Sequence, residues 1–337
     1  MADLKTTYLG LKLKNPFIAG ASNLVSNPDN LKLMEDSGAA AIVYKSLFEE
    51  QIQLERLELE EDLSEYQERN AEMISLFPNI EHAGPEEHLV KLRHAKESVK
   101  IPVIASLNCI FTETWTEYAK LIQQTGVDAL EINFFAVPKN FTTSGKDILD
   151  AQLEVLNALK KVITIPISLK LSPFYANPLH AIKQFDQTGA NGVVLFNRFL
   201  QPDIDVTSGS FVNHFSPSSP EESLLPLRYA GLLFENINAS ICCSSGIYSG
   251  KDVAKMILAG ADCIQTVSAL YKHKIPHLTT MINELSSWMD SKNYKSINDF
   301  KGKLSKARIT DPYIYKRAQY IDILMRTGEI FKKYPVR

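Results

Sequence analysis

The sequence predicts an α/β fold, a (β/α)8 TIM barrel, and three observations predict it. Eight short apolar runs punctuate the chain, most of them uninterrupted rather than alternating, as strands buried on both faces are. Polar or amphipathic segments of helical length separate them, so strand and helix alternate and the sheet is parallel with right-handed crossovers. The joins from helix to strand repeat a glycine, in Ser37-Gly38-Ala39-Ala40, Thr125-Gly126-Val127-Asp128, Thr188-Gly189-Ala190-Asn191 and Ala259-Gly260-Ala261-Asp262. The residue that closes a helix there turns left-handed, which glycine does without strain. Eight such units favour closure over an open doubly wound sheet. No Gly-x-Gly-x-x-Gly opens the first unit, which weakens a Rossmann reading further.

The expected strands are Pro16–Ala19, Ala40–Tyr44, Pro102–Leu107, Ala129–Asn133, Pro166–Leu171, Gly192–Phe196, Ser240–Ser244 and Cys263–Val267. Helices are expected at Asn27–Asp36, Glu113–Thr125, Lys146–Val162, Leu179–Gln187 and Lys251–Leu258. Before the first strand, Thr6–Leu13 has a central glycine and reads as a small N-terminal hairpin that plugs the barrel bottom. Two long insertions, Phe48–Lys100 and Arg198–Leu227, follow strands 2 and 6. The first opens with Gln51–Glu72, whose leucines and acids at helical spacing read as a solvated amphipathic helix; Ser75–Gly84 reads as loop. Both insertions leave strand C-termini, the face where barrel enzymes do chemistry, and read as lids. Asp311–Lys333 is an amphipathic basic-and-apolar stretch, read as a packed or partner-contacting terminal helix. The expectation is a single domain, 1–337, with 307–337 as a C-terminal helical extension.

A chain of 337 residues is long for one domain but ordinary for this barrel. With 45% hydrophobic and 22% charged residues it is globular rather than disordered. A net charge of -3 gives no whole-protein bias toward nucleic acid or anionic membrane. No stretch approaches the roughly 18 apolar residues of a membrane helix, and the first residues do not read as a secretory signal. The expectation is a cytoplasmic protein with neither nucleic acid nor membrane as partner. Cys109, Cys242, Cys243 and Cys263 lie in or near apolar runs without paired zinc-ligand spacing. They read as buried structural thiols, Cys242 and Cys243 facing opposite sides of a strand, and no metal site is expected.

Polar residues at the strand C-termini are the functional candidates. Ala21 and Ser22 follow strand 1, and Lys45 and Ser46 follow strand 2. Asn108 follows strand 3, Asn133 ends strand 4, Lys170 lies within strand 5 and Asn197 ends strand 6. Ser244, Ser245 and Gly246 follow strand 7, and Ser268 follows strand 8. Two lysines and three asparagines directed at one mouth suit an anionic, planar, hydrogen-bonding ligand. A lysine in an apolar strand is rare unless paired, so Lys170 requires a partner.

These residues carry a resemblance to the dihydroorotate dehydrogenase family, of its soluble class 1, over Thr6 to Leu304. It rests on Asn15-Pro16-Phe17, Lys45-Ser46, Ile167-Ser168-Leu169-Lys170-Leu171-Ser172-Pro173, Ser244-Ser245-Gly246-Ile247, Ala259-Gly260-Ala261, Gln265-Thr266-Val267-Ser268-Ala269-Leu270 and Gly302-Lys303-Leu304. The resemblance implies FMN, a small-molecule substrate in pyrimidine biosynthesis and a homodimer. It implies that backbone groups of Ser245-Gly246 and Val267-Ser268 hold the cofactor phosphate. Lys170 would then stabilise negative charge on the flavin, and Ala21 and Ser22 would pack along it. Lys45 would lie beside flavin and substrate, while Asn108, Asn133 and Asn197 would bond ring or substrate edges.

The sequence departs from the family in its substrate half. The family loop Asn-x-Ser-Cys-Pro-Asn supplies a Cys or Ser base, but Asn133-Phe134-Phe135-Ala136-Val137-Pro138-Lys139-Asn140 places Ala136 or Val137 there. General-base catalysis contributes about 10²–10⁴-fold, so its loss matters for a C–H that must be deprotonated. Lys139, Thr142, Ser144 or a residue of the two long insertions is the expected replacement. Arg198 stands where the family places Ser or Thr, as a solvent-facing or anion-binding residue. Met73-Ile74-Ser75-Leu76-Phe77-Pro78-Asn79 only partly matches the family's substrate loop, and Ser245 and Val267 replace phosphate-site glycines. The leading expectation is an FMN-dependent oxidoreductase acting on dihydroorotate or a related cyclic substrate. Two others stay open: a ligand-binding flavin barrel without turnover, and a non-redox phosphate-binding barrel enzyme using Lys170 as a Schiff-base lysine.

Overall fold

The eight apolar runs form the eight strands of a closed parallel barrel in a computed structural model that describes residues 2–53, 85–134, 141–199, 201–212 and 216–333. Ahead of the barrel, β1 (Thr6–Tyr8) and β2 (Leu11–Leu13) pair antiparallel as the expected hairpin. The barrel strands are β3 (Phe17–Ala19), β4 (Ala41–Phe48), β5 (Val103–Asn108), β6 (Ala129–Asn133), β7 (Ile167–Leu171), β8 (Gly192–Leu195), β11 (Ser240–Ser244) and β12 (Cys263–Thr266). They close in the order β11-β12-β3-β4-β5-β6-β7-β8. A short antiparallel pair, β9 (Asp203–Asp205) and β10 (Ser210–Val212), decorates the excursion after β8.

Each strand is apolar on both faces because each face has its own core. Inside the bore, Ile18, Val43, Ile104, Ala129, Val194, Cys242 and Cys263 pack on Tyr8, Leu9 and Leu13 of the hairpin. Outside, Phe17, Ile42, Val103, Leu130, Val193, Cys243 and Ile264 pack under the helices. Cys242 and Cys243 therefore face opposite sides, as expected, and all four thiols are free and buried. The plug enters because Gly192 has no side chain: a Cβ there would come within 2.5 Å of Leu9.

The helical wall is α1 (Pro28–Asp36), α2 (Pro85–Ser98), α3 (Thr112–Gln124), α4 (Gly145–Val162), α5 (Pro178–Gln187), α6 (Leu224–Leu233) and α7 (Gly250–Ala259). After β12 come α8 (Ser268–His273) and α9 (His277–Ser291), then α10 (Arg317–Met325) and α11 (Thr327–Lys333). The five expected helices occur, and the glycines closing four of them, Gly38, Gly126, Gly189 and Gly260, have positive φ. α2 and α6 were not expected: each lay inside or across a segment read as insertion. Within α2, His88, Leu92 and Ala95 recur at helical spacing and are buried. Among the described residues, Gln51–Glu72 is seen only at its start, where 49–53 is helical; the rest of that expected helix and the loop Ser75–Gly84 lie outside them.

Two expectations need correction. β4 runs on through Lys45 and Ser46 to Phe48, with a register shift against β5 between Val43 and Ser46. Such an irregularity re-aims side chains at the rim of a barrel. Of the two readings of the terminal stretch, packed or partner-contacting, the structure corrects the first. α10 has no buried residue, with Ile321, Ile323, Leu324 and Met325 all exposed. No helix among the described residues is long and apolar enough to cross a membrane.

Candidate functional site

The C-terminal ends of the strands open on two adjoining cavities. One, of about 380 Å³, is lined by every described residue expected at the site except Asn108 and the base replacements Thr142 and Ser144. Asn108 lines the other, of about 1000 Å³, and Asn23, Lys45, Ser46 and Phe48 line both. The extension of β4 thus puts Lys45 on the wall between the two.

Lys170 stands near the floor of the smaller cavity and has the partner its burial requires. Its Nζ donates to Gln265 Oε1 at 3.2 Å and lies 3.9 Å from Glu131 Oε1. Gln265 Nε2 in turn donates to Glu131 Oε2 at 2.5 Å. The side chains of Lys170 and Glu131 are 13% and 1% exposed. Neither charge would be tolerated there alone, because each loses its hydration without compensation. Glu131 and Gln265 were missed in the sequence. The available signal was a lone acid in the run Ala129–Asn133.

The three asparagines form one chain. Asn108 Nδ2 donates to the Asn133 carbonyl at 2.9 Å, and Asn197 Nδ2 donates to Asn133 Oδ1. Asn133 is the register neighbour of Lys170, so the chain borders the lysine. Ser46 bonds Ser106 across β4 and β5 at 2.6 Å.

The opposite end is hydroxyl-rich. Ser245 and Gly246 both have positive φ, at 77° and 69°. A Cβ on Gly246 would lie 2.6 Å from Ser219 O and Ser223 N, so the turn admits only glycine there. Gly246 does not open a helix, since α7 begins at Gly250 behind a Ser249–Asp252 capping box. Its N–H, the donor expected to face a phosphate, donates to Ser218 Oγ at 3.0 Å. Ser218 donates through both its N–H and Oγ to Ser268 Oγ, at 3.0 and 2.9 Å. Nothing in the local sequence marks Ser218, which comes from the excursion after β8. Arg198 is engaged too. Its Nε donates to Glu222 Oε2 at 2.8 Å, and its two terminal nitrogens donate to Ser216. It ties the segment 216–222 to the end of β8.

The larger cavity has a more apolar wall, including Trp115, Phe134, Ile148 and Val155, with the buried Gln152 amide held by Tyr175 at 2.6 Å. The base position, Ala136 or Val137, and Lys139 lie outside the described residues, as does Met73–Asn79. Ser144 caps α4 in a box with Asp147. Glu49, also missed, is buried and accepts from Ile110 N at 3.2 Å and Thr114 Oγ1 at 3.1 Å. Burial first, and then Glu49, push the Cys109 thiol far above its usual range, which disfavours the nucleophilic thiolate. Behind Lys45, the buried His88 ring packs edge-on against Tyr44, and neither ring nitrogen has a hydrogen-bond partner among the described residues. Burial, helped by Lys45 and Lys91, lowers His88 to about 4. Among the described residues no cluster of three or more His, Cys, Asp or Glu could hold a metal.

The family model described as dihydroorotate dehydrogenase matches residues 3–289. The dihydroorotate dehydrogenase B (NAD(+)) catalytic subunit of Thermoplasma volcanium is 28% identical, across 90% of this chain and 98% of that one. The chloroplastic dihydropyrimidine dehydrogenase (NADP(+)) of Arabidopsis thaliana is 26% identical, across 94% of this chain and 80% of its own. The NAD-dependent dihydropyrimidine dehydrogenase subunit PreA of Escherichia coli K12 is 24% identical, across 89% and 76%. Dehydrogenases of two kinds thus share this barrel, and the chain belongs to the dihydroorotate dehydrogenase family.

Proposed function

We propose that the protein is an FMN-dependent oxidoreductase in which the smaller cavity holds the cofactor and the larger one admits a small cyclic substrate such as a dihydropyrimidine. The observation that carries this reading is Lys170, an ammonium held near the cavity floor by Gln265 and Glu131 beside a chain of three asparagines. A flavin ring suits that donor set, because it is planar, bonds in its plane and gains negative charge on reduction. The serine-lined end suits a ribityl phosphate through hydroxyl donors, with Ser218 turning away from Gly246 N–H to release it.

Bound FMN supplies a two-electron acceptor. Lys170 provides positive charge where electrons arrive, pre-organised so that nothing need reorient during the reaction. Asn108 and Asn197 fix Asn133, leaving its amide group to orient a ring. Lys45 stands between the two cavities, in reach of both ligands. The apolar wall of Trp115 and Phe134 keeps water from the substrate side.

A second reading, a flavin-holding barrel without turnover, is favoured by one sequence observation: Ala136 and Val137 offer no proton acceptor. One experiment separates the two. The purified protein is expected to be yellow or to take up FMN, and to bleach anaerobically with dihydroorotate or with dihydrouracil. A protein that FMN fails to reconstitute rejects both readings. A yellow protein that neither substrate bleaches within minutes rejects turnover of these substrates.

A further inference from the structure

Glu131 lines neither cavity, yet it is fully buried inside the barrel. A buried carboxylate is costly, and apolar residues in place of the whole Lys170–Glu131 pair would often fill the space at no loss of stability. Its bonding explains its presence. Gln265 is held at both ends, its carbonyl accepting from Lys170 and its amide donating to Glu131. The amide orientation is therefore fixed by the two charges it separates. β12, which carries Gln265, and β6, which carries Glu131, stand four places apart in the ring of eight. The bridge crosses the bore and ties the lysine to the far wall. A lysine on its four-carbon stem would otherwise sample several positions in the cavity. The second carboxylate oxygen, Glu131 Oε1, has no hydrogen-bond partner among the described residues and lies 3.9 Å from the ammonium.

We propose that Glu131 is a positioning residue: through Gln265 it holds Lys170 in place, and through its charge it offsets part of the positive field the lysine presents at the cavity. This rests on the reading that the cavity holds FMN. It makes Glu131 a determinant of how strongly the site favours the reduced cofactor over the oxidised one. Lys170 sets the sign of that preference and Glu131 limits its size.

The test measures FMN dissociation constants in both redox states, or equivalently the midpoint potential, in the holoprotein. Glu131→Gln keeps the shape and removes the charge. It is expected to increase the preference for reduced FMN about tenfold, a rise of about 30 mV for a two-electron couple. The same substitution in a Lys170→Gln background still removes the field of the carboxylate, but its shift is expected to differ at least threefold from the one seen with the lysine present, because part of the effect of Glu131 passes through Lys170. An unchanged preference in Glu131→Gln, or an equal shift without Lys170, overturns the proposal; a purely structural role would lower thermal stability without moving the potential. If Glu131→Gln does not fold, Gln265→Met cuts the bridge and removes no charge. It is expected to alter the preference at least threefold, only while Lys170 is present, and no change overturns the proposal. Failure of the parent chain to take up FMN defeats the reading of the site and this inference with it. FMN uptake with variants that match the parent defeats the inference alone.

Discussion

The two ends of the barrel use the same kinds of side chain for opposite purposes. At the bottom, acids and amides cap the backbone where strands begin. Asp128 accepts from Val103 N at 2.7 Å, Asp262 from Ile241 N at 2.8 Å, and Asp186 from Asn238 N and Ala239 N at 2.8 and 2.9 Å. Glu35, Gln123 and Asn191 do the same for Ile101, Ile165 and Ile167. At the mouth, Lys170, Gln265 and Glu131 bond to one another, and so do the three asparagines beside them, around a cavity. The bottom converts polar groups into stability by satisfying amides that would otherwise be buried unpaired. The mouth holds polar groups ready for a ligand. Substitutions at the two ends should therefore separate stability from function.

The largest effect is expected at Lys170. Lys170→Met should slow cofactor reduction by about a hundredfold, the loss typical of removing one pre-organised stabilising group. FMN affinity should fall less than threefold, since hydroxyl and amide contacts remain. Stopped-flow reduction and fluorescence titration check the two halves; equal losses in both would make Lys170 a binding residue. Stability should fall as well, because Glu131 keeps only Gln265 as partner.

His88, on the outer wall of the mouth end, tests the contrast from another side. It is buried without a hydrogen-bond partner among the described residues, unlike the capping acids of the bottom. Its folded pKa, lowered to about 4 by burial and then by Lys45 and Lys91, means that the folded protein keeps the ring neutral. The unfolded chain binds the proton near pH 6.5. The stability this group confers is thus complete above about pH 6.5 and lost as pH falls through about 4. The loss over that window should reach about 3 kcal/mol. Urea unfolding at pH 7 and pH 4.5 should show it, and His88→Leu should flatten the difference between the two pH values. A parent and variant with equal pH dependence would mean that the ring is hydrated.

Much of the barrel was legible because its signals are local. Uninterrupted apolar runs such as Val103–Asn108 are buried on both faces, and a glycine closes the helix before several of them. The misses share a physical cause. α2 lay hidden because its buried face includes His88, which reads as polar until burial is known. β4 read as too short because Lys45 and Ser46 end the apolar run, while its backbone continues through an irregularity in register. At the site, residues at strand ends were found because topology aims them at one mouth. Glu131, Gln265 and Ser218 were not, since their roles depend on partners up to 134 residues away. Lys170 announced that it needed a partner. Only the folded ring says that the partner is reached across the bore.

The smallest of the expected effects bears most directly on the contrast between the two ends. Asp186 accepts two backbone N–H groups and an ion pair from Lys183 at 3.1 Å, and its side chain is only 2% exposed. Asp186→Ala leaves both amides without a partner at the start of β11. Each unsatisfied buried amide costs about 1–3 kcal/mol, partly recovered where water enters, so a net loss of about 2 kcal/mol is expected. For a barrel of this size that corresponds to a fall of several degrees in Tm. FMN affinity and reduction rate should stay within twofold of the parent, because β11 reaches the cavity only at its other end, at Ser244. Asp186→Asn keeps one acceptor and should recover part of the loss. Should Asp186→Ala weaken FMN binding severalfold, strain at the bottom would be reaching the mouth through β11, and the two ends would not be independent.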